Sequence, residues 1–313
     1  MLAPFSVDFD ATGSVDPAGS MLTFNWVFSD GSTMTAGAKV SHIFGAPGVY
    51  PVALNARNAL GNSSTAAVTI TVVTSDAPAF TADGVVDAAS FASGISPGSI
   101  ASLFGVRLST ITGVAAAQSF PLPLQLQGTS VRVNGTPAPL LAVANVAGSE
   151  QINFQVPFEI AAPGDAQIVV SSGGRDSVPV DVPVLPAKPA VFVIAGLGPA
   201  IVHGSTGALV TASNPALPGE VVVVYCTGLG PVAPVVPTGS AAPTTALSRL
   251  ILPFTGTVGG KDAVLDFAGL APTFAGLYQV NLEIPSGLTG TSVPLVMQAN
   301  GSRSVPVPVP IAP

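Results

Sequence analysis

Gln151-Ile-Asn-Phe-Gln-Val-Pro157 returns further along the chain as Gln279-Val-Asn-Leu-Glu-Ile-Pro285. In both copies apolar residues fill every second place, amides or a carboxylate fill the places between, and a proline stops the run. That period puts the apolar side chains on one face of an extended strand, so each copy predicts a β-strand with one face on a core and one toward water. The surroundings repeat as well. Val86-Asp-Ala-Ala-Ser90, Pro97-Gly98 and Leu103-Phe-Gly105 precede the first copy; Val210-Thr-Ala-Ser-Asn214, Pro218-Gly219 and Cys226-Thr-Gly228 precede the second. The hairpin signal Val133-Asn-Gly135 corresponds to Val258-Gly-Gly260, and Val178-Pro-Val-Asp-Val-Pro-Val184 to Val305-Pro-Val-Pro-Val-Pro-Ile311. Landmarks kept in this order mark a tandem duplication of one β-domain, and two copies fall short of a solenoid.

Composition agrees with strands and turns. The 313 residues include 34 glycines and 31 prolines, well above ordinary usage of roughly 7% and 5%, so long helices are excluded. Only 8% of residues are charged while 48% are hydrophobic, the reverse of a disordered chain. The net charge of −7, with no cluster of Lys or Arg, argues against nucleic acid and anionic membrane surfaces as partners. Residues 189–219 and 221–248 carry no formal charge, but Pro, Gly and Ser interrupt them, so membrane insertion by a helix is not expected. Residues 1–10 lack the basic start and apolar core of a signal peptide. A single cysteine, Cys226, excludes an intrachain disulfide and a Cys-rich metal site.

The first segment of the chain does not share the repeat. Phe9-Asp-Ala-Thr-Gly-Ser-Val-Asp-Pro17, Phe24-Asn-Trp-Val-Phe-Ser-Asp-Gly31, Ser41-His-Ile-Phe44 and Pro47-Gly-Val-Tyr-Pro-Val-Ala-Leu54 resemble the PKD domain, an immunoglobulin-like sandwich common on extracellular proteins. Val27 and Ser29 stand where that family usually has Asp and Gly. The duplicated remainder is similar to an uncharacterised C-terminal domain family of large secreted acidobacterial proteins. Asp87-Ala-Ala-Ser-Phe91, Gln151-Ile-Asn153, Thr227-Gly-Leu-Gly230 and Tyr278-Gln-Val-Asn281 carry that likeness, and each half looks like a TIG module. The resemblance implies no activity.

Candidate chemistry is sparse. His42 lies within the PKD-like pattern, where it reads as part of the fold. His203, in Val202-His-Gly-Ser205, reads as a turn residue, because no Gly-x-Ser-x-Gly elbow raises a serine beside it. Cys226, following four valines and Tyr225, reads as a small buried hydrophobe. Gly196-Leu-Gly198 and Gly228-Leu-Gly230 lack the following helix of a phosphate cradle and read as turns. Asp8, Asp10, Asp16 and Asp30 are the calcium candidates, and each also suits a turn or a solvated face. Trp26 alternates with Phe24 and Phe28 as a core residue would, leaving no aromatic strip for a sugar. Asn62, Asn134 and Asn300 begin Asn-x-Ser/Thr sequences that matter only in a glycosylating pathway.

The expectation is therefore an all-β chain of three tandem immunoglobulin-like β-sandwich modules: a PKD-like one at 1–75, and TIG-like ones at 80–186 and 187–313. The joints between them, 74–79 and 185–189, are short and contain proline, which predicts little independent tumbling. No catalytic, cofactor-binding or metal residue is assigned. The expected function is a non-enzymatic extracellular or cell-surface module for structure, adhesion or assembly. The alternative is an accessory or ligand-binding segment of a larger secreted enzyme. Partners are another copy meeting it through strand edges, other surface proteins, or a glycan; no cofactor is called for.

Overall fold

The structure, a computed structural model, describes residues 5–73 and 76–313. Every regular element among them is a β-strand, and the sheets form three immunoglobulin-like sandwiches. The chain divides into two compact units, Met1–Ala79 and Phe80–Pro313. Thr74 and Ser75, at the start of the first joint, lie outside the described residues.

In the first unit, Phe5–Asp10 and Lys39–Phe44 form a two-stranded antiparallel sheet with Phe9 opposite Val40. It packs on a four-stranded sheet ordered Thr33–Ala36, Leu22–Phe28, Gly48–Asn58, Ser63–Val72. Alternation decides what is buried: Trp26, Phe28, Val52, Leu54, Ile70 and Val72 meet Phe9 and Phe44 in one core. Among the described residues, aromatic rings supply four of the ten buried in this core, with Phe9 and Trp26 centroids 5.5 Å apart. Two strands cannot cover four. Val68, on the same face as Ile70, stays 48% exposed, and shallow cavities of about 380 and 410 Å³ open on either side of the Asp16 loop.

The second unit holds two sandwiches of matching plan. In the first half, a five-stranded sheet runs Ala79–Asp87, Ile100–Val106, Ser149–Gln155, Leu140–Val146, Gly113–Ala116. Thr129–Val133 and Gly164–Ser172, flanked by Val180–Val184, face it. Leu103, Val131, Ile152, Phe154, Ile168 and Val182 fill the space between with no exposed surface. In the second half, Val221–Thr227, Tyr278–Glu283 and Leu265–Leu270 face Phe254–Val258, Gly290–Ala299 and Val307–Ile311. Val224, Val280, Leu282, Leu295 and Val309 make the equivalent core.

Strand register refines the repeat. Gln151 stands opposite Phe104, and Gln279 stands opposite Tyr225. Tyr225, not Thr227, is therefore the counterpart of Phe104, and the match of Leu103-Phe-Gly105 to Cys226-Thr-Gly228 is corrected. Shared turn glycines had suggested that alignment, whereas ladder pairing fixes the true one. The last strand of each half also closes in the same way. Val184 makes a parallel bridge to Ile95, and Ile311 makes one to Ala216. Prolines at alternate positions of Val307–Ile311 leave it paired with a single strand, Gly290–Ala299, at the sheet edge.

The joint between the halves is built into the unit. Lys188 N donates to Gly228 O at 2.6 Å, and its Nζ donates to the carbonyls of Ala92 (2.6 Å), Ser93 and Gly94 (3.1 Å). A Cβ at Gly228 would lie 1.9 Å from Lys188 O, and φ there is +77°, so only glycine allows this approach. Ile100 N donates to Thr227 Oγ1 at 2.8 Å, and Gly239 N to Gln155 Oε1 at 2.7 Å.

Candidate functional site

His42, His203, Cys226 and Tyr278 are each held in place by the fold. His42 Nε2 lies 2.7 Å from Asp30 Oδ2, and its ring stacks 3.9 Å from Phe28. His203 is buried, with Nδ1 2.8 Å from Glu220 Oε1 and Nε2 3.2 Å from Asn214 O, so it ties a strand to the turn at 211–214. Cys226 is fully buried, and loss of water pushes its thiol pKa up, away from the nucleophilic thiolate. Tyr278, equally buried, donates its hydroxyl to Gly230 O at 2.6 Å.

The four aspartates suggested for calcium are not brought together. Asp8 accepts from Ser41 Oγ. Asp10 accepts from Thr12 N at 2.8 Å and Thr12 Oγ1 at 2.6 Å, and pairs with Lys39 at 2.9 Å. Asp16 accepts from Ser20 N and Asn58 Nδ2. Asp30 accepts from Ser32 N and Oγ as well as facing His42. The Thr12 and Ser32 hydroxyls, with the neighbouring backbone N–H groups and with Lys39 beside Asp10 and His42 beside Asp30, hold both carboxyls down at a pKa of about 2. Among the described residues no three His, Cys, Asp or Glu side chains gather at metal-binding separations.

One constellation was not legible in the period-two pattern. Asp87 is 2% exposed, and its Oδ1 accepts from Ala89 N (2.9 Å), Ser90 N (2.8 Å) and Ser90 Oγ (3.1 Å). Burial raises its pKa, against the opposing effect of those donors and of the Lys188 charge. The turn it holds ends at Phe91, whose N donates to Asp87 O at 2.9 Å and whose φ of 55° is left-handed. That conformation costs a bulky residue ~1–2 kcal/mol, yet Phe91 is 59% exposed. It leans on Phe104, centroids 6.2 Å apart with the planes tilted 43°.

Phe104 lies on the outer face of its sheet, since Leu103 is in the core. Beside it, Gln151 Nε2 donates to Asn153 Oδ1 (2.6 Å) and Ser102 Oγ (3.3 Å), and Ser102 Oγ donates to Asn153 Oδ1 (2.9 Å). The second half keeps the amide step, Gln279 Nε2 donating to Asn281 Oδ1 at 2.8 Å beside Tyr225. Pro215 follows Asn214 there in place of the phenylalanine that follows Ser90. The expectation that no aromatic ring is spare is thus corrected at Phe91. Its signal was Asp87-x-x-Ser90 ahead of a phenylalanine, a side-chain-capped turn rather than an alternation.

Residues 3–72 match the PKD domain family. Over 67 residues, 21% of the chain, the sequence is 36% identical to a microbial collagenase of Vibrio alginolyticus, and the match spans 8% of that protein. Among solved structures, all of the chain aligns with 66% of the Bacteroides ovatus mixed-linkage glucan utilization locus protein SGBP-B, solved with a mixed-linkage heptasaccharide, at 15% identity and a TM-score of 0.38. The I9–I11 tandem of titin aligns with 99% of the chain over 94% of its own length at 9% identity and a TM-score of 0.20. Domains 4–9 of the surface layer protein SbsC align with 96% of the chain over 40% of their length, at 16% identity and a TM-score of 0.23. No helix among the described residues is long and apolar enough to cross a membrane.

Proposed function

We propose that this chain is a non-enzymatic extracellular or cell-surface segment, built of modules at 1–75, 80–186 and 187–313, that serves structure, adhesion or assembly. The observation that carries the reading is the commitment of the reactive groups: His42 faces Asp30, His203 faces Glu220 and Asn214 O, and Cys226 is buried with its thiolate disfavoured. The PKD match supports the extracellular setting. Residues 80–313 fit the C-terminal domain of secreted acidobacterial proteins that they resemble, a pair of TIG-like halves. Partners in this reading are other surface proteins, glycans, or another copy meeting the open edges of the two-stranded sheet formed by Phe5–Asp10 and Lys39–Phe44.

The collagenase match favours a second reading, in which the chain is an accessory segment of a larger secreted enzyme. Both predict no turnover by the purified chain in hydrolase, transferase and oxidoreductase assays. Turnover that His203→Ala or Cys226→Ala abolishes would overturn them. The genomic sequence flanking residues 1 and 313 distinguishes one from the other.

A further inference from the structure

We propose that the face formed by Phe91, Phe104, Gln151 and Asn153 binds a neutral pyranose chain with equatorial substituents; the inference rests on the extracellular reading above and names a ligand class for it. An equatorially substituted pyranose has a flat face of axial C–H groups. Such a face meets the negative face of an aromatic ring favourably, and two tilted rings offer consecutive platforms. Phe91 is costly where it stands. Its left-handed backbone is strained, and leaving it more than half exposed forgoes much of the stabilisation that burying a phenylalanine would contribute. A buried carboxylate, Asp87, is spent on fixing the turn that presents it. A glycine or asparagine would close the same turn without strain.

The amides supply what a sugar's hydroxyls need. Gln151 Nε2 and Asn153 Oδ1 are used between themselves and Ser102, while Gln151 Oε1 and Asn153 Nδ2 have no partner among the described residues. One acceptor and one donor on hydrogen-bonded neighbours match what a sugar's hydroxyls offer and need. Charge selects further. Ser102, Phe104, Gln151 and Asn153 are all uncharged, and the carboxylate of Glu150, on the opposite face of the strand, accepts from Leu108 N. An ionic ligand would lose more solvation there than a neutral one, and the nearby Lys188 ammonium is already taken up by the carbonyls of Ala92, Ser93 and Gly94.

The test is calorimetric titration of the full chain with cellohexaose, using hexagalacturonate as the acidic counterpart. Saturable cellohexaose binding is expected, weakened about tenfold (about 1.4 kcal/mol) or more by Phe104→Ala and Phe91→Gly. Gln151→Ala should weaken it several-fold, and Phe91→Tyr should preserve it. Phe91→Gly removes the ring and relieves the strain together, so its loss of binding is not a folding failure. Undetectable cellohexaose binding, undiminished binding by Phe91→Gly, or tighter binding of hexagalacturonate would overturn the proposal. Fractionation of the native host keeps the two readings apart. Protein found outside the cell that ignores cellohexaose removes this proposal alone, whereas protein confined to the cytoplasm removes the extracellular reading.

Discussion

Replacing Lys188 by methionine keeps the aliphatic stem and deletes the charge, which isolates what the ammonium does. Three carbonyls lose a donor, those of Ala92, Ser93 and Gly94. Ala92 and Ser93 are exposed, so water can replace the lysine there at small cost; Gly94 is buried and its carbonyl is left with less. A hydrogen bond from a charged donor contributes ~1.5–3 kcal/mol, so the Gly94 bond with a discounted share for the other two gives about 2–3 kcal/mol. Removing the cation also takes away one of the effects that favour the charged form of the buried Asp87, leaving the donors from Ala89 and Ser90. The residues involved belong to the second compact unit, whereas the single tryptophan, Trp26, lies in the core of the first. Trp26 fluorescence therefore follows one unit in urea, and scanning calorimetry follows both. Lys188→Met should lower the transition of the second unit by about 5–10 °C and leave the Trp26 transition in place. A loss below about 0.5 kcal/mol, within the ordinary range for surface substitutions, would refute the reasoning, as would an equal shift of both transitions.

Gly228→Ala should cost the second unit more than about 3 kcal/mol or prevent its folding, because a side chain there strikes Lys188 O and requires a left-handed alanine; the yield of soluble protein and its calorimetric transition test this. Asp87 has its pKa raised in the folded state, so the native state binds the proton more tightly than the unfolded state does. Stability of the second unit should then fall as pH rises from about 4 through the raised value, and Asp87→Asn, which keeps the accepting oxygen, should flatten that slope in urea titrations at several pH values. Asp10 and Asp30 behave oppositely. With pKa values of about 2, their contribution to the first unit is present above about pH 4 and lost as pH falls toward 2; Trp26 fluorescence should report an acid transition in that window, reduced in Asp10→Asn and Asp30→Asn.

Much of the architecture was legible because it rests on short-range rules. Alternation in Gln151–Pro157 and its echo predicts which side chains face the core, and Ile152, Phe154, Val280 and Leu282 are fully buried. Trp26 sits in the core as its alternation with Phe28 requires. The contacts that make residues 80–313 one unit were not legible, because Lys188 meets Ala92, Ser93 and Gly94 across most of a sandwich and nothing local to Lys188 marks it as other than a surface cation. The Phe91 platform escaped for a related reason. Its ring reaches Phe104 through a carboxylate-capped turn and a left-handed residue, which no strand periodicity encodes.

The parallel bridges that close each sandwich also order events during synthesis. Ile95 N donates to Pro183 O and Leu185 N to Ile95 O, so the first half has every strand it needs soon after residue 185 is made. In the second half Ala216 N donates to Pro310 O and Ala312 N to Ala216 O, so its early loop stays open until residue 312 has left the ribosome. Long-range closure of this kind is slow and leaves strand edges unprotected meanwhile. Thr227 and Gly228, however, emerge facing a partner that can already be complete, with Ile100 N and Lys188 N waiting to donate. The later copy thus completes its last strand only after residues of the earlier one are available to hold Thr227 and Gly228 in place.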